Sequence, residues 1–256
     1  MNFSILYKPK KLIERLALEI ARKRRIGRLK NTPGAALKLG HIDSLELLEI
    51  IGKDRSLTAN PVVYDIGSNI GTWTLLAKSV LPQSTVHAFE PLSFHISHFN
   101  ENCKALKNAY LHPYCAGNEN RTGTINISSF SDSSSLLSAT PLEFEHFHIQ
   151  KEKEEQVEIK RLADLIDDKS LPPPNIIKLD VQGFELEVLK GLGDWLNSAK
   201  YIICEVSFKE YYYSQAQFLD IANYLAGYRF QLFAFGNNTP LGTELNQIDV
   251  LFKRPS

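Results

Sequence analysis

The run Val62-Val-Tyr-Asp-Ile-Gly-Ser-Asn-Ile-Gly71 constrains the fold more than any other stretch of the chain. A short apolar segment stops at an acid and passes through two glycines into a helical pattern at 70–80, which reads as strand, tight turn and helix. Gly67 permits the turn and a close backbone approach, and Gly71 lets the helix pack near the sheet. The start of such a helix presents backbone N–H groups and partial positive charge, which suit a carboxylate as well as a phosphate. Asp65 discriminates between ligands, because a carboxylate at the strand tip repels a pyrophosphate and pairs with an ammonium. The spacing is D-x-G-x-N-x-G. It is neither the G-x-G-x-x-G of dinucleotide sites nor a G-x-x-x-x-G-K-[ST] phosphate loop.

Glu90 ends the next strand, 85–90, 19 residues after Gly71. An acid in that place accepts hydrogen bonds from both ribose hydroxyls. Asp65, Gly67, Ser68, Asn69, Gly71, Glu90 and Pro91 are therefore the candidate cofactor-binding residues. A nucleoside carrying an ammonium and a carboxylate, S-adenosyl-L-methionine, fits them. A purely structural turn would also explain Gly67 and Gly71.

Downstream, strands at 109–115, 175–180, 200–206 and 228–235 alternate with helices at 93–107, 184–191 and 215–226, and a last strand follows at 247–253. Such alternation predicts βαβ units and a parallel α/β sheet of Rossmann-like, doubly wound type. Between two shorter strands, 124–127 and 156–160, the stretch 128–155 is too polar for core and reads as a long loop. The predicted organisation is a basic N-terminal helical segment, 1–58, followed by one domain, 59–256.

In the N-terminal segment, Leu12, Ile13, Leu16, Ala17, Ile20 and Ala21 form one apolar stripe on a helix over 9–25. A second helix is predicted at 44–51, with Ser44 as N-cap. Residues 1–40 hold eleven Lys and Arg against Glu14 and Glu19, a net of +9, so the remainder of this neutral chain carries −9. The favoured reading is a basic face packed on the acidic body; the sharper one is an arm that touches an anionic membrane surface. No run of 18 apolar residues occurs, no export signal is visible, and three scattered cysteines lack ligand or redox spacing. A cytoplasmic enzyme, at most peripheral to the inner face of a membrane, is expected.

The chain resembles the FkbM family of S-adenosylmethionine-dependent methyltransferases in seven segments between residues 60 and 255: VVYDIGSNIGTWTLLAK (62–78), VHAFEPLSFHISHFNEN (86–102), SSSLLS (133–138), VEIKRLADLI (157–166), NIIKLDVQGFELEVLKGL (175–192), YIICEVS (201–207) and DVLFKRP (249–255). The resemblance implies a mostly parallel seven-stranded sheet with an antiparallel last strand. It also implies methyl transfer to a hydroxyl of a sugar, glycan or other small metabolite. It assigns Glu90 and the Asp65–Gly71 loop to the cofactor. Where the family commonly has D-V-E-G, Gln182 stands in place of the glutamate.

Asp180 and Glu205 end two of the predicted buried strands and are the candidate catalytic residues, Asp180 as the base and Glu205 orienting the acceptor. The structural alternative for each is a carboxylate capping the turn that follows. Together they would suit a divalent ion, a reading not favoured because no tight acidic cluster is visible. Lys178, within a buried strand, either pairs with one of these acids or marks a rim. Glu185, in the first turn of the next helix, reads as structural. Ser133 to Ser135 suit either a sugar or a plain loop, and Tyr211 to Tyr213 suit either ring stacking or a cover for the sheet. His95 and His98 read as helix-surface residues. No metal-ligand spacing of His and Cys occurs. A nicotinamide oxidoreductase is disfavoured by the glycine pattern. A nucleic-acid methyltransferase or binding protein is disfavoured because the arm has few aromatics beyond Phe3 and Tyr7, and no nucleic-acid partner is expected.

Overall fold

The computed structural model describes residues 9–37, 41–239 and 243–255. Its main sheet has seven strands in the order β3-β2-β1-β7-β8-β10-β9. They are β1 (Val62–Ile66), β2 (Thr85–Phe89), β3 (Ala109–His112), β7 (Ile176–Leu179), β8 (Tyr201–Ser207), β9 (Gln231–Phe235) and β10 (Gln247–Lys253). Neighbours from β3 through β8 run parallel, and β10 lies antiparallel between β8 and β9. This is the doubly wound, mostly parallel sheet expected, with its last strand reversed. The central strands are buried on both faces, which is why they read as near-continuous apolar runs.

Successive residues of each strand serve different layers. Val63, Ile176, Ile203 and Leu251 face one core, shared with the helices α2 (Ile42–Gly52) and α3 (Thr72–Val80). Tyr64, Ile177, Cys204 and Val250 face the other, closed by α6 (Leu162–Asp167), α7 (Glu185–Leu192) and α8 (Phe218–Gly227). The helix α4 (Ser93–Cys103) covers β2 and β3 through Phe99 and Cys103. Winding reverses between β1 and β7, and the crevice outside the carboxyl ends of such strands is where α/β sheets bind ligands.

The stretch 128–155 is not a bare loop. It contains the helix α5 (Pro141–Phe147) and the first half of the strand β6 (Lys151–Arg161). β6 pairs antiparallel with β5 (Arg121–Ser128) and parallel with β4 (Cys115–Gly117), forming a second, three-stranded sheet. The hairpin is polar where it leaves the body, and Ile125, Ile127 and Val157 dock its root against Leu92.

The helix α1 (Pro9–Gly27) joins the body through charge. Arg25 pairs with Glu46 and Glu49 of α2, while Ile13, Leu16 and Ile20 of the apolar stripe are at least half exposed. Phe3 and Tyr7 lie outside the described residues. By contrast α2 is built into the sheet's own core through Ile42, Leu45, Leu48 and Ile51, so residue 58 marks no break in packing. Ser44 is not its cap: His41 precedes the helix and Ser44 lies within it. Among the described residues no helix is long and apolar enough to cross a membrane.

Candidate cofactor and transfer site

A cleft of about 390 Å³ lies along the carboxyl edge of the sheet. Gly67, Ser68, Asn69, Glu90 and Pro91 line it, as the sequence predicts; Asp65 and Gly71 do not. Gly67 has φ +79°, and a Cβ there would meet the Asp180 carbonyl oxygen at 1.8 Å, so the glycine answers to the backbone that leaves the end of β7. At Gly71 (φ +88°) a Cβ would strike Cys103 Sγ at 2.6 Å and Phe99 at 2.9 Å. Gly71 thus admits α4 rather than the sheet or a ligand.

Asp65 is wholly buried. It accepts a hydrogen bond from Thr74 Oγ1 (2.6 Å) and faces Lys178 Nζ at 3.5 Å. The expected ammonium partner is therefore supplied from within, by a lysine. Burial raises the Asp65 pKa against the opposing pull of Lys178 and Thr74.

Glu90 is held in place by three donors. Asn69 N–H reaches Oε2 at 2.9 Å, Leu92 N–H reaches Oε1 at 3.0 Å, and His95 Nδ1 lies 3.2 Å from Oε1. A carboxylate has about four lone-pair sites, so capacity for ligand hydroxyls remains. His95 departs from the surface reading: it is 3% exposed and lines the cleft, whereas His98 lies on the helix surface. Its spacing five residues after Glu90, one turn into α4, is the signal that sequence reasoning passed over. Ser68 Oγ and His95 Nε2 are buried, without hydrogen-bond partners, and belong to residues lining this cleft. Unsatisfied buried donors and acceptors are scarce in folded proteins. Their gathering beside Glu90 fits a ligand rich in hydroxyls and nitrogens, as a nucleoside is.

A row of charges crosses the sheet on the face covered by α2 and α3. Asp65 is in register with Lys178, and Glu205 with Asp249. Lys178 donates to the Gly67 carbonyl (2.8 Å) and lies 3.4 Å from Asp180 Oδ2. Burial alone would lower its pKa, but Asp180, Asp65 and Asp249 outweigh that and raise it. Lys178 is thus a pairing residue, not a rim. Asp180 lines the cleft; Glu205 does not, but Gln182 joins the two. Gln182 Nε2 donates to Asp180 Oδ1 (2.8 Å) and to Glu205 Oε2 (3.0 Å). A glutamate at 182 would place a third carboxylate against this pair, and the amide relieves that. Burial, then Asp180, Asp249 and Glu185, push Glu205 well above the usual carboxylate range; burial and Asp180 raise Asp249 to about 6. Glu185 accepts from the Val181 and Gly183 amides, pinning the turn at 180–183.

The Tyr212 hydroxyl stands 3.0–3.3 Å from Ser133 O, Gln182 Oε1 and Glu143 Oε1. Tyr211 and Tyr212 are buried and only Tyr213 is exposed, so the cluster fills space under α5 instead of offering a stacking face. Ser133 and Ser135 line a second cavity of about 420 Å³ with Glu143 and Tyr212, whereas Ser134 faces the cleft. Among the described residues no three His, Cys, Asp or Glu are grouped to hold a metal ion.

The sequence profile of the methyltransferase FkbM domain matches residues 65–232. The chain belongs to the FkbM methyltransferase family. Among relatives of this FkbM domain is hexuronic acid methyltransferase AglP of Haloferax volcanii, 31% identical over 57% of this chain and 55% of that protein. Methyltransferase 1 of Beauveria bassiana is 32% identical over 52% of this chain and 58% of that one. The match thus spans little more than half the length of these relatives. The fold is similar to that of the magnesium protoporphyrin IX methyltransferase ChlM of Synechocystis PCC 6803, solved with bound SAM. That likeness has a TM-score of 0.50 at 12% identity and covers 85% of this chain and 81% of that one.

Proposed function

We propose that this methyltransferase uses S-adenosyl-L-methionine to methylate a hydroxyl of a sugar, glycan or related small metabolite. The observation that carries the reading is Asp180 at the cleft wall, tied through Gln182 to Glu205, on the same sheet edge as Glu90. A relative named for a hexuronic acid supports a sugar acceptor. When bound, the cofactor supplies a methyl group on a sulfonium, whose departure needs no acid. Glu90, Ser68 and His95 would hold its nucleoside end.

The protein's part is to position the acceptor and accept its proton. A hydroxyl is a weak nucleophile at neutral pH, and general-base help is worth ~10²–10⁴-fold. Asp180 is the base: it faces the cleft, and Gln182 fixes its carboxylate from behind. Glu205 orients the acceptor side through the same amide. Calorimetry should show S-adenosylmethionine binding without NAD binding. Asp180→Asn should retain cofactor affinity and lose at least about tenfold in transfer rate. Full activity in that variant removes Asp180 from the mechanism. Loss of activity on chelation would turn the carboxylate pair into a metal site instead.

A further inference from the structure

We infer that His41, Ser44, Trp73 and Asp249 form the acceptor end of the cleft, and that this end selects a neutral, polyhydroxylated ring over one that bears a carboxylate. The inference rests on the methyltransferase reading above and adds the acceptor's charge class.

All four residues line the same cleft as Glu90, and Asp249 stands on a strand far from it. Glu90 follows β2, and Asp249 lies on β10, with β1, β7 and β8 between them. At about 4.8 Å per strand the two acids stand on the order of 19 Å apart along the edge. A nucleoside seated on Glu90 leaves the β8–β10 end for the second substrate. There Ser44 and Asp249 line the cleft together, so the N-terminus of α2 and the last strand form one wall. The wall is rigid, since Ile42, Leu45 and Leu48 of α2 are 4% exposed or less. Two of its residues, His41 and Ser44, precede the segment 65–232 that the family shares.

The chemistry of this wall is one-sided. Trp73 Nε1–H is buried without a partner, and an acceptor oxygen would satisfy it. Asp249 and Asp180 offer hydrogen-bond acceptors to ligand hydroxyls, with Glu205 behind them. Among the described residues the one lysine lining the cleft, Lys178, already serves Asp65, Asp180 and the Gly67 carbonyl. Burial holds His41 below its ordinary pKa despite Asp132, so its ring is largely uncharged at neutral pH. Among the described residues, a uronate carboxylate at this end would meet acids with no cation to spare, and a like-charge contact of that kind costs several kcal/mol. A neutral ring would meet a donor for its oxygens and carboxylates for its hydroxyls.

The chain has two tryptophans, Trp73 and Trp195. Trp195→Phe therefore leaves Trp73 as the reporter in otherwise full-length protein. Its emission is titrated with methyl glucopyranoside and with the matching methyl glucuronide, both with the demethylated cofactor present. The expected result is a saturable change with the glucoside and binding of the glucuronide weaker by about tenfold or more. Introducing His41→Arg, at the partly buried residue before α2, should shift the ratio toward the glucuronide by about tenfold, and Asp249→Asn should narrow it. Equal or tighter glucuronide binding overturns the inference, as does a Trp73 emission that neither sugar changes, or an unaltered ratio in His41→Arg. Cofactor calorimetry on the same protein separates the two levels. If S-adenosylmethionine fails to bind, the methyltransferase reading falls; if it binds and the sugar preference is absent, only the acceptor inference falls.

Discussion

Lys178 and Asp65 form a buried ion pair whose worth a double-mutant cycle measures directly. Asp65 is fully buried, and Lys178 Nζ stands 3.5 Å from its Oδ1. At an effective dielectric of about 20, opposite charges at that separation attract by about 5 kcal/mol. Removing one partner from such a pair costs about 3–5 kcal/mol, because the other charge is left buried. Lys178→Met should therefore lose about 3–5 kcal/mol in urea unfolding at pH 8. Asp65→Asn should lose less, since Lys178 keeps Asp180 at 3.4 Å. The double variant should fall short of the summed losses by about 2–3 kcal/mol. The pH dependence has a definite sign. Without Lys178, the pKa of Asp65 rises further above its unfolded value, so the folded state binds the extra proton. The deficit of Lys178→Met is then smallest below the unfolded pKa and grows as pH rises through the folded one. Additivity within about 0.5 kcal/mol, or a deficit that shrinks with rising pH, would refute the pairing and return Asp65 to the role of ligand contact.

Two further outcomes are expected. Gly67→Ala should cost more than about 3 kcal/mol or prevent folding, because its Cβ would lie 1.8 Å from the Asp180 carbonyl oxygen; Gly27→Ala, with nothing within 4 Å, should change stability by at most about 1 kcal/mol in the same assay. Glu143 is 3% exposed and burial raises its pKa to about 7. Its folded state is therefore favoured below the unfolded pKa and loses that advantage as pH rises to 7. Glu143→Gln should raise Tm at pH 8 by about 5–10 °C more than at pH 4.5, and equal shifts at both pH values would count against the assignment.

The sheet was legible because its central strands are apolar on both faces, so the runs at 62–66, 176–179 and 201–207 declare themselves without periodicity. Glu90 and Asp180 were legible because an acid closing such a run is conspicuous. What eluded the sequence depends on contacts across long separations. Asp65 looks like a ligand contact until Lys178, 113 residues later, is seen beside it. Gly71 reads as serving the sheet, but the atoms it must clear belong to Phe99 and Cys103. His41 and Asp249 come from opposite ends of the chain, and no local pattern announces that they share a cleft. The hairpin of β5 and β6 was hidden for another reason. The first half of β6 is a run of exposed charged residues, so it lacks the apolar alternation by which a half-buried strand is recognised.

The position of β10 has a consequence for biosynthesis. It is the last of this sheet's seven strands to be made, and it belongs inside the sheet, between two strands made earlier. Until residues 247–253 emerge, β8 presents an open edge of apolar backbone, and β9 has no strand to pair with. Asp249 arrives on that same strand, so the cleft gains its final wall in the step that closes the sheet. A chain halted before residue 247 therefore has a hole in its sheet instead of a missing fringe, and should yield an aggregation-prone product.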